Sequence, residues 1–198
     1  MLVIGLTGSA AMGKSIVTGM FADEGAAVFD ADKAVHRLYA AGAVEPIRAA
    51  FPSAIVDGAV DRGRLAELAF ADATVLRRIE AIVHPLVRAE EEKLRARAAA
   101  SGRHILILDI PLLFETGSEG RVDAVAVVTV PEAVQRRRLF ARPGMTAERL
   151  AAMGRRQMPD AEKRQRAHFV IDTGGAFAAT RRQVRDVLRA VAGIAAGR

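Results

Sequence analysis

Eight successive residues near the start, Gly8-Ser9-Ala10-Ala11-Met12-Gly13-Lys14-Ser15, can do more chemistry than any other stretch of this chain. They read G-x-x-x-x-G-K-[ST], follow the apolar run Leu2-Val3-Ile4-Gly5-Leu6, and precede Val17, Met20 and Phe21 at helical spacing. Strand, glycine-bounded loop and helix in that order are the context of a phosphate-binding loop. Backbone N–H groups from Gly8 through Ala10, Ala11, Met12 and Gly13 to Ile16 are expected to wrap nucleotide phosphates, helped by the positive end of the helix that starts near Lys14. The Lys14 ammonium can reach the β- and γ-phosphates, and the Ser15 hydroxyl can ligate Mg²⁺. The chain is expected to bind a nucleoside triphosphate.

Carboxylates and arginines elsewhere fit transfer chemistry. Asp30-Ala31-Asp32 follows the short apolar run Ala27-Val28-Phe29, at the carboxyl end of a strand, where open α/β sheets place their ligands. A carboxylate there can take a proton from an acceptor hydroxyl during in-line phosphoryl transfer. Asp is also a favoured helix N-cap, so one of the pair can cap while the other works. Asp109 ends the run Ile105-Leu106-Ile107-Leu108 and is placed like a carboxylate that holds Mg²⁺ directly or through water; Glu115 is either a further candidate or a surface residue. Gln135, Arg138 and Arg142 stand at i, i+3 and i+7, so one helix face can offer both guanidiniums to a transferring phosphoryl group or to solvent. His84, alone before Pro85, reads as a structural hydrogen-bonding group. The chain contains no Asn, which removes the guanine-reading Asn-Lys-x-Asp motif and disfavours a GTP switch.

The elements that must position these residues are legible as apolar runs. Leu2–Leu6, Ala27–Phe29, Ile105–Leu108, Val122–Val130 and His168–Ile171 are short and nearly unalternating, as strands of a parallel sheet covered on both faces are. The expected fold is α/β, a doubly wound five-stranded sheet of the P-loop NTPase type. Residues 36–102 hold helical patterns and no convincing strand, and read as an inserted helical subdomain in which Pro85 breaks or re-aims the chain. Residues 136–166 are intensely basic and punctuated by Pro143-Gly144 and Met158-Pro159 into two short helices. The last helix carries Val184, Val187, Leu188, Val191 and Ile194 on one face. The core is expected over about 1–35, 103–135 and 167–198.

Composition bounds the rest. A chain of 198 residues with 51% apolar residues folds as one main domain with insertions. With no Cys, disulfides, thiolate-bound zinc and a thiol nucleophile are excluded. The start MLVIGLTG lacks a basic leader, and its apolar run is too short for a membrane span, so a soluble, cytoplasmic protein is expected. The net charge of +6 rests on 25 Arg against 4 Lys, which suits phosphate oxygens, nucleic acid or an arginine-rich genome alike. No Trp and one Tyr leave few surfaces for stacking bases.

Taken in order, Gly5-Leu6-Thr7-Gly8, Gly13-Lys14-Ser15, Asp30-Ala31-Asp32, His84-Pro85-Leu86-Val87, Asp109-Ile110-Pro111-Leu112-Leu113-Phe114-Glu115 and Gln135-x-x-Arg138-Leu139-x-x-Arg142 resemble the dephospho-CoA kinase family. Arg156-Gln157-Met158-Pro159, Glu162-Lys163-Arg164 and Val170-Ile171-Asp172 continue the resemblance over essentially the whole chain. It implies ATP-dependent phosphorylation of the ribose 3′-hydroxyl of dephospho-coenzyme A, with Mg²⁺. By that resemblance Lys14 and Arg142 clamp phosphates, Arg138 joins the ATP site, and Asp32 is the base. Asp32, His84 and Leu113 meet the acceptor, Ser15 and Asp109 hold the metal, 36–102 is the CoA-side domain and 136–166 the lid. ATP and dephospho-CoA are the expected partners of a monomer, without nucleic acid or membrane. The loop departs from the family's usual pattern: Ser9 and Ala11 stand for glycines and Ile16 for Thr, while Thr173 stands for Asn and His168 for Asp. Ala11 matters most, because a glycine there can serve a positive φ or a close phosphate. Competing readings are another metabolite or nucleoside-monophosphate kinase, and an ATP-dependent nucleic-acid-binding module.

Overall fold

The computed structural model describes residues 1–146 and 157–196. Five strands, β1 (Leu2–Thr7), β2 (Ala27–Asp30), β5 (Ile105–Asp109), β6 (Ala124–Thr129) and β7 (Phe169–Asp172), form one parallel sheet in the order β2-β5-β1-β6-β7. The remaining two, β3 (Ile55–Val56) and β4 (Ala59–Val60), form a separate antiparallel hairpin. The chain divides into two compact units, Met1–Val28 with Ala98–Arg198, and Phe29–Arg97.

In the first unit β1 is the central strand, in parallel register with β5 from Leu2 opposite Ile105 and with β6 from Ile4 opposite Ala124. Its sequence is apolar from Leu2 to Leu6 because both its faces are covered. On β6 the two faces are visible residue by residue: Ala126 and Val128 join one core cluster, Val125 and Val127 the other. The first cluster receives Val17, Met20 and Phe21 of α1 (Lys14–Asp23) with Val184, Val187 and Val191 of the C-terminal helix, α8 (Phe177–Ala196). The second receives Leu113 and Phe114 from the turn after β5, with Met158 and Ala167 packed against it. Short strands at a sheet centre and helices at 3.6-residue spacing thus bury the same core from opposite sides.

The second unit is helical: α2 (Ala31–Ala40), α3 (Val44–Ala50), α4 (Arg62–Ala71) and α5 (Ala73–Ala100), the last running three residues past the unit's end. Its core gathers Leu38, Val44, Ile47, Leu65, Ile79 and Val83. Because Val35, Leu38 and Tyr39 of α2 pack here, the unit starts at Phe29 rather than at residue 36. Two expectations fail inside it. A strand pair does exist: Asp57 and Gly58 have φ of 48° and 79°, the two positive values of a type I′ turn, and they fold Ile55-Val56 onto Ala59-Val60. And Pro85 does not break the chain; it lies inside the 28-residue α5. Proline removes one backbone donor there, but Ile79, Ile82, Val83, Leu86 and Val87 on both sides of it pack into one cluster and hold the helix together.

Beyond β6 the basic segment contains α6 (Glu132–Phe140) and α7 (Asp160–Arg166). Arg149, Arg155 and Arg156 of this segment lie outside the described residues, as does the side chain of Ile194.

Candidate active site

The phosphate-loop region belongs to the first unit and builds upward from β1. Gly8 leaves the strand so close to β6 that a Cβ on it would lie 2.6 Å from the Val128 carbonyl oxygen. Gly13 precedes α1 at φ 87°, in the left-handed region that glycine adopts without steric cost. No side chain caps α1 and no acidic residue sits in its first turn, so the helix end keeps its amides and its positive field for an anion. The first backbone bonds of the helix run from Ile16 and Val17 to the Gly13 carbonyl, at 3.0 and 3.3 Å. Ser15 and Ile16 are exposed beside these amides.

Lys14 Nζ forms an ion pair with Asp109 Oδ1. The second carboxylate oxygen, Oδ2, accepts from the Thr18 hydroxyl at 2.7 Å, and the same hydroxyl lies 2.9 Å from the Lys14 carbonyl. Asp109 is buried, so its charge depends on these two partners. Asp109, expected at Mg²⁺, is thus held by Lys14 and by Thr18, a residue outside the expected site. Its position one helical turn after Lys14, facing the end of a neighbouring strand, was the available signal.

Arg138, expected among the ATP contacts, spends its guanidinium within the protein. It donates to the Ala11 carbonyl at 3.4 Å, to Thr173 Oγ1 at 3.1 Å and to the Thr173 carbonyl at 2.8 Å. One turn earlier on α6, Gln135 Nε2 donates to the Ala10 carbonyl at 2.9 Å. Arg142 lies past the end of α6 and is exposed. The i, i+3, i+7 face therefore divides between loop support and solvent. Ala11 does adopt a positive φ, 62°, a conformation that costs a residue with a Cβ about 1–2 kcal/mol. A cleft of about 680 Å³ opens beside the loop, lined by Met12, Pro131, Gln135, Arg164 and Asp172 among others.

Leu113, expected to meet the acceptor, has no exposed surface; it packs in the core under Gly5, where any Cβ would collide with it. That is a correction: the apolar centre of the Asp109–Glu115 motif is a packing residue. Glu115 is neither free nor a surface ornament. It accepts from the Met158 amide at 2.8 Å and lies 2.8 Å from the fully buried Lys163 Nζ. The Lys163 contact is an ion pair whose atoms are not aligned for a hydrogen bond. Burial alone would raise the Glu115 carboxyl, but Lys163 and the Met158 N–H outweigh it and hold the group below its ordinary value. Arg166 pairs with Glu119 and stacks over the Phe114 ring, with its guanidinium carbon 4.6 Å from the centroid. The stretch from Met158 to Arg166 is thereby pinned to the turn that follows β5.

The second unit carries the other candidates. Asp30 is the N-cap of α2, its carboxylate accepting from the Lys33 amide at 2.9 Å. Asp32 stands exposed in the first turn of the same helix, and His84 is exposed on α5. Of the two aspartates, the geometry gives Asp30 the cap.

Comparison with known proteins narrows what such a loop serves. The dephospho-CoA kinase family model matches residues 2–178. A protein of Mesorhizobium japonicum named dephospho-CoA kinase is 53% identical over 188 residues, covering 95% of each chain. The crystal structure of TT1252 from Thermus thermophilus superposes with a TM-score of 0.84 at 37% identity, over 95% of this chain and 96% of that one. Dephospho-CoA kinase from Campylobacter jejuni, 22% identical with a TM-score of 0.63 over 96% of both chains, shares the fold. A match that runs from β1 into the start of α8 covers both units, and the chain belongs to the dephospho-CoA kinase family.

Proposed function

We infer that the chain transfers the γ-phosphoryl group of ATP to the ribose 3′-hydroxyl of dephospho-coenzyme A, giving coenzyme A and ADP, the last step of CoA biosynthesis. The observation that carries this reading is the uncapped N-terminus of α1 behind a glycine-bounded loop, with Lys14 beside it, in a chain of this family. Phosphates take the loop amides, and the Lys14 ammonium turns from Asp109 toward the β- and γ-oxygens. The acceptor oxygen attacks the γ-phosphorus as the bond to ADP breaks, and its proton passes to Asp32. Arg142 offsets charge on the group in flight. The helical unit holds the CoA side and residues 136–166 act as the lid.

Ser15 and Asp109 offer only oxygen donors, the set that a hard dication accepts. Among the described residues no cluster of three or more His, Asp or Glu is poised around a metal, which suits an ion that arrives with its nucleotide rather than one in a protein cage. Mg²⁺ bound there would neutralise phosphate charge. The reading places a monomer in the cytoplasm, with small-molecule substrates alone; among the described residues no helix is long and apolar enough to cross a membrane.

The test is incubation with Mg-ATP and a panel of acceptors, including dephospho-CoA, nucleoside monophosphates and shikimate, followed by product masses. Dephospho-CoA gaining one phosphate is the expected product. Phosphorylation of another acceptor in its place would overturn the reading.

A further inference from the structure

Three consecutive carbonyls of the phosphate loop are each taken by a side chain from outside it. Ala10 accepts from Gln135 at 2.9 Å, Ala11 from Arg138 at 3.4 Å, and Met12 from the Thr173 hydroxyl at 2.6 Å. Arg138 in turn donates to that hydroxyl at 3.1 Å, so Arg138, Thr173 and the Met12 carbonyl form one relay, with Thr173 buried at its centre. Thr173 can come this close only because position 13 lacks a side chain: a Cβ there would lie 2.9 Å from Thr173 Oγ1.

A trans peptide is planar, and its C=O and N–H point in opposite directions. Fixing the carbonyl of one residue therefore aims the N–H of the next. The Gln135 bond to Ala10 orients the Ala11 N–H, and the Thr173 bond to Met12 orients the Gly13 N–H. The intervening Met12 N–H turns back to the Ser9 carbonyl at 3.3 Å. Of these three amides, those of Ala11 and Gly13 are left to meet phosphate, and they are the ones set by the two shortest bonds. Between them sits Ala11 at φ 62°, one of two non-glycine residues with positive φ among the described residues; the other is Asp57 in the hairpin turn.

We propose that Gln135 and Thr173, the latter backed by Arg138, are positioning residues for the nucleotide phosphates. They hold the peptide planes of the loop in anion-binding orientation before the ligand arrives, and they keep Ala11 in a backbone conformation that would otherwise call for glycine. This rests on the nucleotide-binding reading of the loop. It assigns a role to residue 173, thirty-odd positions beyond the basic helix, that no motif of the loop announces.

The test has two arms that fail separately. In the nucleotide-free protein, ¹⁵N order parameters of residues 9–13 read the brace itself: rigid values near ~0.85 in the parent should fall below ~0.6 in Thr173→Val. With ligand, Thr173→Val should weaken Mg-ADP binding by about tenfold, the loss expected for one or two buried hydrogen bonds, while dephospho-CoA affinity moves less than about twofold. Thr173→Ser, which keeps the hydroxyl, should recover most of both. Adding Ala11→Gly to Thr173→Val should regain part of the ADP affinity, because glycine reaches the left-handed region unaided. Should Thr173→Val fail to fold, Gln135→Leu carries the same two measurements at the Ala11 amide. Rigid loops and parental ADP affinity in both variants would overturn the proposal, and no gain from Ala11→Gly would overturn its Ala11 part. A parent that binds no nucleotide, with order parameters that still respond, would sink the nucleotide reading and leave the brace standing.

Discussion

The two units commit their polar side chains in opposite ways. Around the phosphate loop, Lys14, Thr18, Asp109, Gln135, Arg138 and Thr173 are all engaged with one another or with loop carbonyls. In the helical unit the side chains proposed for the acceptor, Asp32 and His84, stand exposed at helix surfaces, and Asp30 is the cap of α2. The contrast separates two strategies. A site assembled before its ligand arrives stores part of its function as stability, so damage there is felt in the fold. A site of solvated side chains is nearly silent in the folded protein and speaks only in kinetics.

The sharpest way to break that contrast is Lys14→Ala. Transfer should fall by about 10³, or ~4 kcal/mol of barrier, because the transferring phosphoryl loses its fixed cation. The buried Asp109 also loses its ion-pair partner, so unfolding stability should drop by about 3 kcal/mol. Paired measurements of turnover and thermal unfolding decide it, and unchanged stability would place Asp109 in the silent class.

Glu115→Gln should do the converse, lowering stability by about 3 kcal/mol, or roughly 6–12 °C in Tm, with turnover altered less, because it strands the buried Lys163 charge. The pH dependence gives a second reading. The Glu115 carboxyl is held below its ordinary 4.5 in the fold, so its contribution is complete above that value and is lost as pH falls through the lower, folded one. The gap between parent and variant at neutral pH should therefore close in acid.

Asp32→Asn belongs to the kinetic side. Single-turnover transfer should fall by about 10², the lower end for a lost base because a loose phosphoryl transition state leans little on one. Unfolding and Mg-ATP affinity should stay near the parent's. If Asp30→Asn is the crippled variant instead, the roles within the pair are reversed. The smallest effect is expected at Arg142→Ala, about tenfold in kcat with a lesser change in ATP affinity, since its exposed guanidinium has to reach the phosphates to act. A change in Tm alone would make it a solvated surface charge.

What the sequence made legible is what local pattern encodes. The strand–loop–helix around Lys14, the apolar runs of the sheet and the carboxylate ending β5 are each written within a short stretch of consecutive residues. The misses have the opposite character. The Asp57-Gly58 turn was readable, but strands of two residues fall below any periodicity. Pro85 carries a local helix-breaking signal, whereas the apolar face that spans it decides the helix. Leu113 looked like part of a functional motif because its inward packing under Gly5 is set by chain more than a hundred residues away. Arg138 shows the same limit: its charge and helix face were evident, but its partners come from residues 11 and 173.

The near-absence of lysine gives the buried Glu115–Lys163 pair a further consequence. Only Lys14, Lys33, Lys93 and Lys163 carry a side-chain amine, and their side chains are 18%, 75%, 61% and 0% exposed. An amine-directed acylating reagent therefore meets three distinct clocks on these four side chains. The exposed Lys33 and Lys93 should be modified first, and Lys14 more slowly and slower again under nucleotide. Lys163 should stay unmodified until the first unit unfolds, so the order in which the four side chains are acylated would report occupancy of the loop and integrity of the core in a single time course.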